Sequence, residues 1–263
     1  MDLGLRDKVA VVAASSQGLG RAIAHELAAE GSAVVMCARG EAKLRAAAEQ
    51  VASATGARVL PVVADVSKPA DVARLADAAR AAFGRVNVLV THSGGPAPGT
   101  FEATGPESWQ AAFEVVLMSA VEMIRAFLPG MKERRSGRVL NITSITVKQP
   151  VENLLLSNSL RAAVTGMART LANEVAPFGI TVNNLLPGYT RTERLTELAE
   201  VAAARDGTAP ADFYARLERE IPAHRLGEPR ELAALAAFLA SERAGYVTGQ
   251  SIAVDGGWIR SVY

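Results

Sequence analysis

Lys8-Val9-Ala10-Val11-Val12-Ala13-Ala14-Ser15-Ser16-Gln17-Gly18-Leu19-Gly20-Arg21 is the stretch that decides how this chain folds. A short apolar, β-branched run stops at a turn of small residues, and an Ala-rich stretch of helical character follows at once, as when a strand feeds a helix. Gly18 and Gly20 let main-chain N–H groups come close to a ligand. The positive end of the helix that follows favours an anion, so a phosphate is expected along Ser15, Ser16, Gly18, Leu19 and Gly20. Two glycines alone would also suit any tight strand-to-helix turn, so the surroundings carry the weight.

Outward from this turn the alternation repeats. Lys8 to Ala13, Ala33 to Ala38, Arg58 to Val63, Val86 to Val90, Arg138 to Ile142, Thr181 to Leu185 and Ser251 to Val254 read as strands. Helices are expected over Gly20 to Glu30, Glu41 to Thr55, Pro69 to Phe83, Pro106 to Met131, Glu152 to Ala176 and Pro229 to Ala240, several opened by Pro or an acidic residue. Strands separated by helices imply an α/β fold, a Rossmann-type doubly wound, seven-stranded parallel sheet flanked by helices. The strands are apolar almost throughout, which predicts a sheet buried on both faces. No repeat or linker divides the chain, and one domain over residues 1–263 is expected. Residues 191–225 break the alternation with charged helical stretches around Gly207-Thr208-Ala209-Pro210. They read as a helical lid over a pocket, or as a packed surface hairpin with no gating role.

Composition excludes several function classes. Lys+Arg 28 against Asp+Glu 27 leaves a formal charge of +1, so no overall field draws in nucleic acid or an anionic membrane. The apolar run at the N-terminus is too short for a signal peptide or a membrane span, and a cytoplasmic protein is expected. Cys37 is the only cysteine; its apolar neighbours predict a buried, inert thiol. No metal site is expected.

The glycine turn resembles the TGxxxGxG motif of the short-chain dehydrogenase/reductase family, with Ala13 and Ala14 in place of its Thr and first Gly. The resemblance spans nearly the whole chain. Asp65-Val66 matches the family's adenine-contacting acid, Pro187-Gly188 its proline-glycine turn, with Thr190 close behind. Gly245-Tyr246-Val247-Thr248-Gly249-Gln250 and Val254-Asp255-Gly256-Gly257 match its C-terminal signature. The family's Asn-Asn-Ala-Gly segment stands here as Thr91-His92-Ser93-Gly94. Gly94 keeps the close backbone approach, while His92 is left with a structural, ribose-contacting or proton-carrying role. At the end of the second strand, where an acid would select NAD, the chain has Ala38-Arg39. Arg39, helped by Ser15 or Ser16 and by Arg21, is suited to the extra phosphate of NADP(H).

Reducing a ketone puts negative charge on its oxygen, so a site needs a hydrogen-bond donor there and a proton to finish the alcohol. The resemblance implies a Ser, a Tyr, a Lys and an upstream Asn for this work. Ser144, in Asn141-Ile142-Thr143-Ser144, matches the Ser; the Tyr falls on Ser157, the Lys on Arg161 and the Asn on Val116. Ser157 and Arg161 share one helical face. An aliphatic hydroxyl is shorter than a phenol and a far weaker acid, so the proton must come through water or from another group, with Tyr189 and Lys148 as candidates. Ser157 and Arg161 are otherwise an ordinary helix position and a surface cation.

Two functions follow. The first is an NADP(H)-dependent oxidoreductase resembling the 3-oxoacyl carrier-protein reductase branch, acting on a small carbonyl or alcohol with a nonstandard proton donor. The second is a catalytically impaired NADP(H)-binding protein with a sensing or scaffold role. The family resemblance also implies a homotetramer formed through the long helices after Pro106 and Glu152. Leu154, Leu155 and Leu156 suggest apolar substrate contacts or core packing, and the substrate itself stays open.

Overall fold

The computed structural model describes residues 2–262; Met1 and Tyr263, the ends of the expected domain, lie outside the described residues. Strands β1 (Val9–Val12), β2 (Ala33–Ala38), β3 (Val59–Val63), β4 (Val88–Thr91), β5 (Gly137–Ile142), β6 (Ile180–Pro187) and β7 (Ser251–Val254) form one sheet in the order β3-β2-β1-β4-β5-β6-β7. All pairings are parallel. The chain order reverses between β1 and β4, and in such sheets the crevice at the strands' carboxyl ends is where ligands bind.

Helices α1 (Gly18–Ala29), α2 (Glu41–Thr55), α3 (Pro69–Phe83), α5 (Ser119–Glu133), α6 (Leu155–Val175) and α9 (Pro229–Ala240) cover the faces. Alternate residues of β1 point to opposite sides. Ala10 and Val12 pack with Ile23 and Leu27 of α1 and Leu232 of α9, whereas Val9 and Val11 pack with Leu75 of α3, Phe127 of α5 and Ala172 of α6. Each fully buried large aliphatic side chain contributes about 1.5–3 kcal/mol. Cys37 is one of these buried residues, and desolvation pushes its thiol up to about 12, which makes it a poor nucleophile at neutral pH.

Three expectations need correction. Burial on both faces holds for the central strands but not at the edges: β3 and β7 are only half-buried, because each has one neighbouring strand and Val63 reaches solvent. The helix expected over Pro106 to Met131 is interrupted. It runs as α4 (Pro106–Ala112), then one π-helical turn over Phe113–Met118, then α5. In that turn Val116 is buried against Ala112, Ala120, Leu156 and Leu160, and the Ser119 hydroxyl donates to the carbonyl of Val115. The helix expected from Glu152 starts at Leu155, since Asn153 takes a left-handed conformation, φ +59°. Residues 191–225 hold α7 (Glu193–Asp206) and α8 (Pro210–Glu220), parted at Gly207 as expected.

Candidate active site

The turn after β1 is built for close approach. A Cβ at Gly20 would lie 2.3 Å from the carbonyl oxygen of Ala14, and Gly18 has φ +55°. Ala14 itself is left-handed, φ +48°, at the position where the family motif has a glycine. Gln17, the N-cap of α1, makes no side-chain cap, so the first N–H groups of α1 are free of side-chain acceptors. Ser15 does not face this space, contrary to its expected help with a phosphate. Its hydroxyl donates to Val12 O at 2.8 Å and accepts from the Cys37 N–H at 3.0 Å, joining β1 to β2 inside the core. Ser16 stays half-exposed, Arg39 is exposed at the end of β2, and the side chain of Leu19 packs into the core.

Asp65 closes its own loop: its carboxylate accepts from the Ser67 N–H at 3.0 Å and hydroxyl at 2.7 Å. Val66 packs against the core beside it. After β4, Ser93 is buried and donates to Gly94 O at 3.2 Å, while a Cβ at Gly94 would meet open space. After β6, Gly188 is pressed against Asp255, whose Cα would lie 2.7 Å from an added Cβ, and the buried Thr190 donates to Gly188 O at 3.1 Å. These segments all leave the sheet at its carboxyl edge. In sheets of this kind ligands bind in the crevice at that edge, and a glycine turn leading into a helix suits a phosphate.

A chain of buried side-chain hydrogen bonds, not foreseen from the sequence, underlies the groove. Thr91 donates to Asn141 Oδ1 at 2.7 Å, Asn141 to Asn184 Oδ1 at 3.0 Å, and Asn184 to Ser251 Oγ at 3.1 Å. These residues are register partners on β4, β5, β6 and β7.

Ser144 caps a short 3₁₀ turn (Ile145–Val147) beyond β5, and its oxygen accepts from the Thr146 N–H at 3.1 Å. Arg161, on α6, is not a surface cation. It is 7% exposed, and its guanidinium donates to Ser157 Oγ at 3.2 Å, Ile142 O at 3.0 Å and Thr143 O at 3.1 Å. The structure thus brings Ser144, Ser157 and Arg161 to the end of β5. Desolvation, with a smaller push from Arg194, brings the Arg161 pKa down to about 10, which leaves it charged at neutral pH.

His92 lies close enough to feel the Arg161 charge. Burial first, and that charge second, bring its pKa down to about 3; the imidazole is neutral at physiological pH and Nδ1 has no hydrogen-bond partner among the described residues. Tyr189 turns away into a cluster with Leu195, Leu217 and Leu226, its ring edge-on to Trp258 at 5.6 Å, and burial pushes its phenol up to about 12. Lys148 is exposed at the end of the 3₁₀ turn.

The α7 end of the helical pair reaches this groove. Thr192 and the carboxylate of Glu193 rest against Gly18, and Arg194 donates to Pro96 O at 2.9 Å. A cavity of about 880 Å³ opens beside Gly18, lined by Arg21, His25, Thr196 and Arg230, without contact to Ser144, Ser157 or Arg161. Gly18, Thr192 and Glu193 line it as well.

Residues 13–259 match the family described as Enoyl-(Acyl carrier protein) reductase. The chain is 32% identical over 256 residues to the NADPH-dependent reductase BacG of Bacillus subtilis (strain 168), covering 97% of this chain and 99% of that one. It is 31% identical over 255 residues to the 3-oxoacyl-[acyl-carrier-protein] reductase FabG of Escherichia coli (strain K12), covering 97% and 98%. Its structure is similar to that of L-sorbose reductase from Gluconobacter frateurii complexed with NADPH and L-sorbose, with TM-score 0.95 and 35% identity over 100% of both chains.

Proposed function

This chain belongs to the short-chain dehydrogenase/reductase family, and from that premise we propose that it is an NADPH-dependent reductase of carbonyl compounds in which Ser157 and water replace the family's tyrosine as the proton route. It is an oxidoreductase acting on carbonyl or alcohol groups with NADP(H). The N–H groups of Gly18, Leu19 and Gly20, with Ser16, hold the pyrophosphate; Arg39 takes the 2′-phosphate. Asp65 and Val66 border the adenine, Ser93 and Gly94 the ribose, and Pro187, Gly188 and Thr190 the nicotinamide, with Arg161 on the nicotinamide ribose. When bound, the cofactor supplies the hydride.

One observation carries the chemistry. Ser144 accepts an N–H from Thr146, and Ser157 accepts an N–H from Arg161, so each hydroxyl keeps its own proton to donate to a carbonyl oxygen. As reduction places charge on that oxygen, the two hydroxyls hold it, with the Arg161 cation behind Ser157. Ser157 passes its proton to the oxygen and takes another from water in the space a phenol would fill. The nearby guanidinium lowers the cost of charge on Ser157 in between. The phenol of Tyr189, a weaker acid than usual and turned toward Trp258, is left a positioning role at the base of α7. The pair α7 and α8 serves as a lid whose closure excludes water, supported by the contacts of Thr192 with Gly18 and of Arg194 with Pro96.

The test is NADPH oxidation over a panel of 3-oxoacyl thioesters, diketones and keto sugars, with Ser144→Ala as the control. Turnover well above the control is expected. Val116 favours a second reading: the family's Asn is absent there and its replacement sits in an apolar cluster, with no amide to order water. Turnover no higher than in Ser144→Ala, with NADPH still bound, would leave the cofactor-sensing role.

The exposed Phe101 and Phe113 flank Trp109 and Leu160 on the outer face of α4 and α6, an apolar surface that supports assembly into a homotetramer. Sedimentation as a monomer would overturn it.

A further inference from the structure

The start of α7 crosses the point where the order of the sheet reverses. β1 and β4 are neighbours there, and the loops that leave them carry Gly18 on one side and Gly95-Pro96 on the other. Thr192 packs on the first loop: its Cβ and Cγ2 lie 3.6 Å from a Cβ placed on Gly18. Arg194 reaches the second. Its Nη2 donates to Pro96 O at 2.9 Å, and Nε and Nη2 both lie 3.2 Å from a Cβ placed on Gly95, so the guanidinium rests against a backbone that carries no side chain. Glu197, one turn on, accepts from Nη1 at 3.2 Å and orients the fork. Residues 192–194 thus span the crevice in which ligands bind in sheets of this kind.

Little else holds them there. The base of the lid is anchored on the far side, where the Arg191 N–H donates to Gly227 O at 2.9 Å and its guanidinium pairs with Glu218 at 3.0 Å and Glu228 at 3.4 Å. Beyond that base, Leu195 packs with Leu217, Ile221 and Leu226 in a satellite apolar cluster, apart from the two that flank the sheet. α7 and α8 therefore share a small core of their own. Among the described residues, no hydrogen bond other than that of Arg194 with Pro96 joins α7 to the chain outside residues 191–225.

Resting on the NADP(H) groove proposed above, we infer that Arg194 is a latch: its bond to Pro96 holds the start of α7 across the crevice, and its release sets how fast the cofactor enters and leaves. Arg194 touches no reacting atom and is a positioning residue. A single bond from a charged, partly exposed donor keeps the crossing closed for most of the time, yet breaks within the time of a turnover. The latch also works against Glu193, whose carboxylate lies 3.4 Å from the same Cβ position on Gly18 and repels a phosphate arriving there. Opening precedes both passages, so one bond governs both rates and leaves their ratio, the affinity, nearly as it was. An arginine that only attracted the phosphates would act differently, by raising the rate of arrival.

Stopped-flow fluorescence of NADPH reads both rates, arrival on mixing and release on a chase with excess NADP⁺. Arg194→Gln is expected to raise both by about 3- to 20-fold, the effect of losing a partly exposed bond from a charged donor, with Kd changed by less than about threefold. Gly95→Ala crowds the seat of the guanidinium without altering α7, and should act in the same direction by a smaller factor. Arg205→Gln removes an ion pair at the far end of α7 and should leave both rates as they are. Slower arrival with weaker binding in Arg194→Gln, or rates unchanged in both latch variants, would overturn the latch. Equal acceleration by Arg205→Gln would do the same, since the lid would then respond to any loss of helix stability. Absence of an NADPH signal in the intact protein would remove the cofactor groove, and the latch with it.

Discussion

The Nε–H of Arg161 donates to the Ser157 hydroxyl oxygen at 3.2 Å while the far end of the same guanidinium holds the carbonyls of Ile142 and Thr143. One side chain thereby ties α6 to the backbone just before Ser144. A planar fork with fixed donors can do this; an ammonium cannot span the same three acceptors.

Arg161→Lys is therefore expected to destabilise the protein by about 1–3 kcal/mol, as hydrogen bonds to a charged group are lost and buried carbonyls are orphaned. At roughly 2–4 °C per kcal/mol for a domain of this size, thermal unfolding should fall by several degrees. An unchanged midpoint would mean that the clasp contributes nothing.

His92 makes stability depend on pH. Its pKa is about 3 in the folded protein against an ordinary value of 6.5, so below pH 6.5 the unfolded chain binds a proton that the folded chain refuses. The stabilisation from a neutral imidazole is present above 6.5 and is lost as pH falls toward 3, by at most about 1.4 kcal/mol per unit. Thermal melts at pH 7 and pH 5 should differ less in His92→Phe than in the parent; equal slopes would remove His92 as the cause.

The glycine turn gives opposite outcomes at neighbouring positions. Gly20→Ala sets a Cβ 2.3 Å from Ala14 O, where only backbone could move, and should cost more than about 2 kcal/mol and abolish NADPH binding. Ala14→Gly relieves a left-handed alanine and should be neutral or stabilising by up to about 1 kcal/mol. Denaturant midpoints for the two variants check both signs.

Glu193 places a carboxylate at Gly18, where the phosphates are proposed to sit. Glu193→Gln should tighten NADPH by about two- to tenfold in fluorescence titration, and more at low salt, since the removed repulsion is partly exposed. Weaker binding in Glu193→Gln would mean that the carboxylate helps hold the closed turn.

The seven-stranded parallel sheet and most elements were legible because parallel strands buried on both faces write themselves as short β-branched runs, and several helices open at Pro or an acid. The π turn at Phe113–Met118 was not, since its apolar pattern continues unbroken from Pro106 to Met131 and a single wider turn leaves no compositional mark. In the site, the family resemblance grouped Ser144, Ser157 and Arg161, and helical spacing put the last two on one face. It did not tell that Arg161 is buried, because helical spacing names a shared face and not what covers it. Arg194 escaped notice for a related reason: its partner Pro96 is 98 residues away, joined only by folding. Ser15 shows the converse, a residue in the right motif whose hydroxyl is spent holding β1 to β2.

The chain of Thr91, Asn141, Asn184 and Ser251 has a consequence for how the groove keeps its shape. Apolar parallel strands can slide past one another by two residues and still bury the same kinds of side chain, because their pattern repeats at that interval. Slippage here would leave amides facing Val or Leu, unmatched in a dry interior, at a cost no aliphatic contact restores. The four strands are thus locked at one height, and the loops that carry His92, Ser144, Gly188 and Asp255 all set out from a common level.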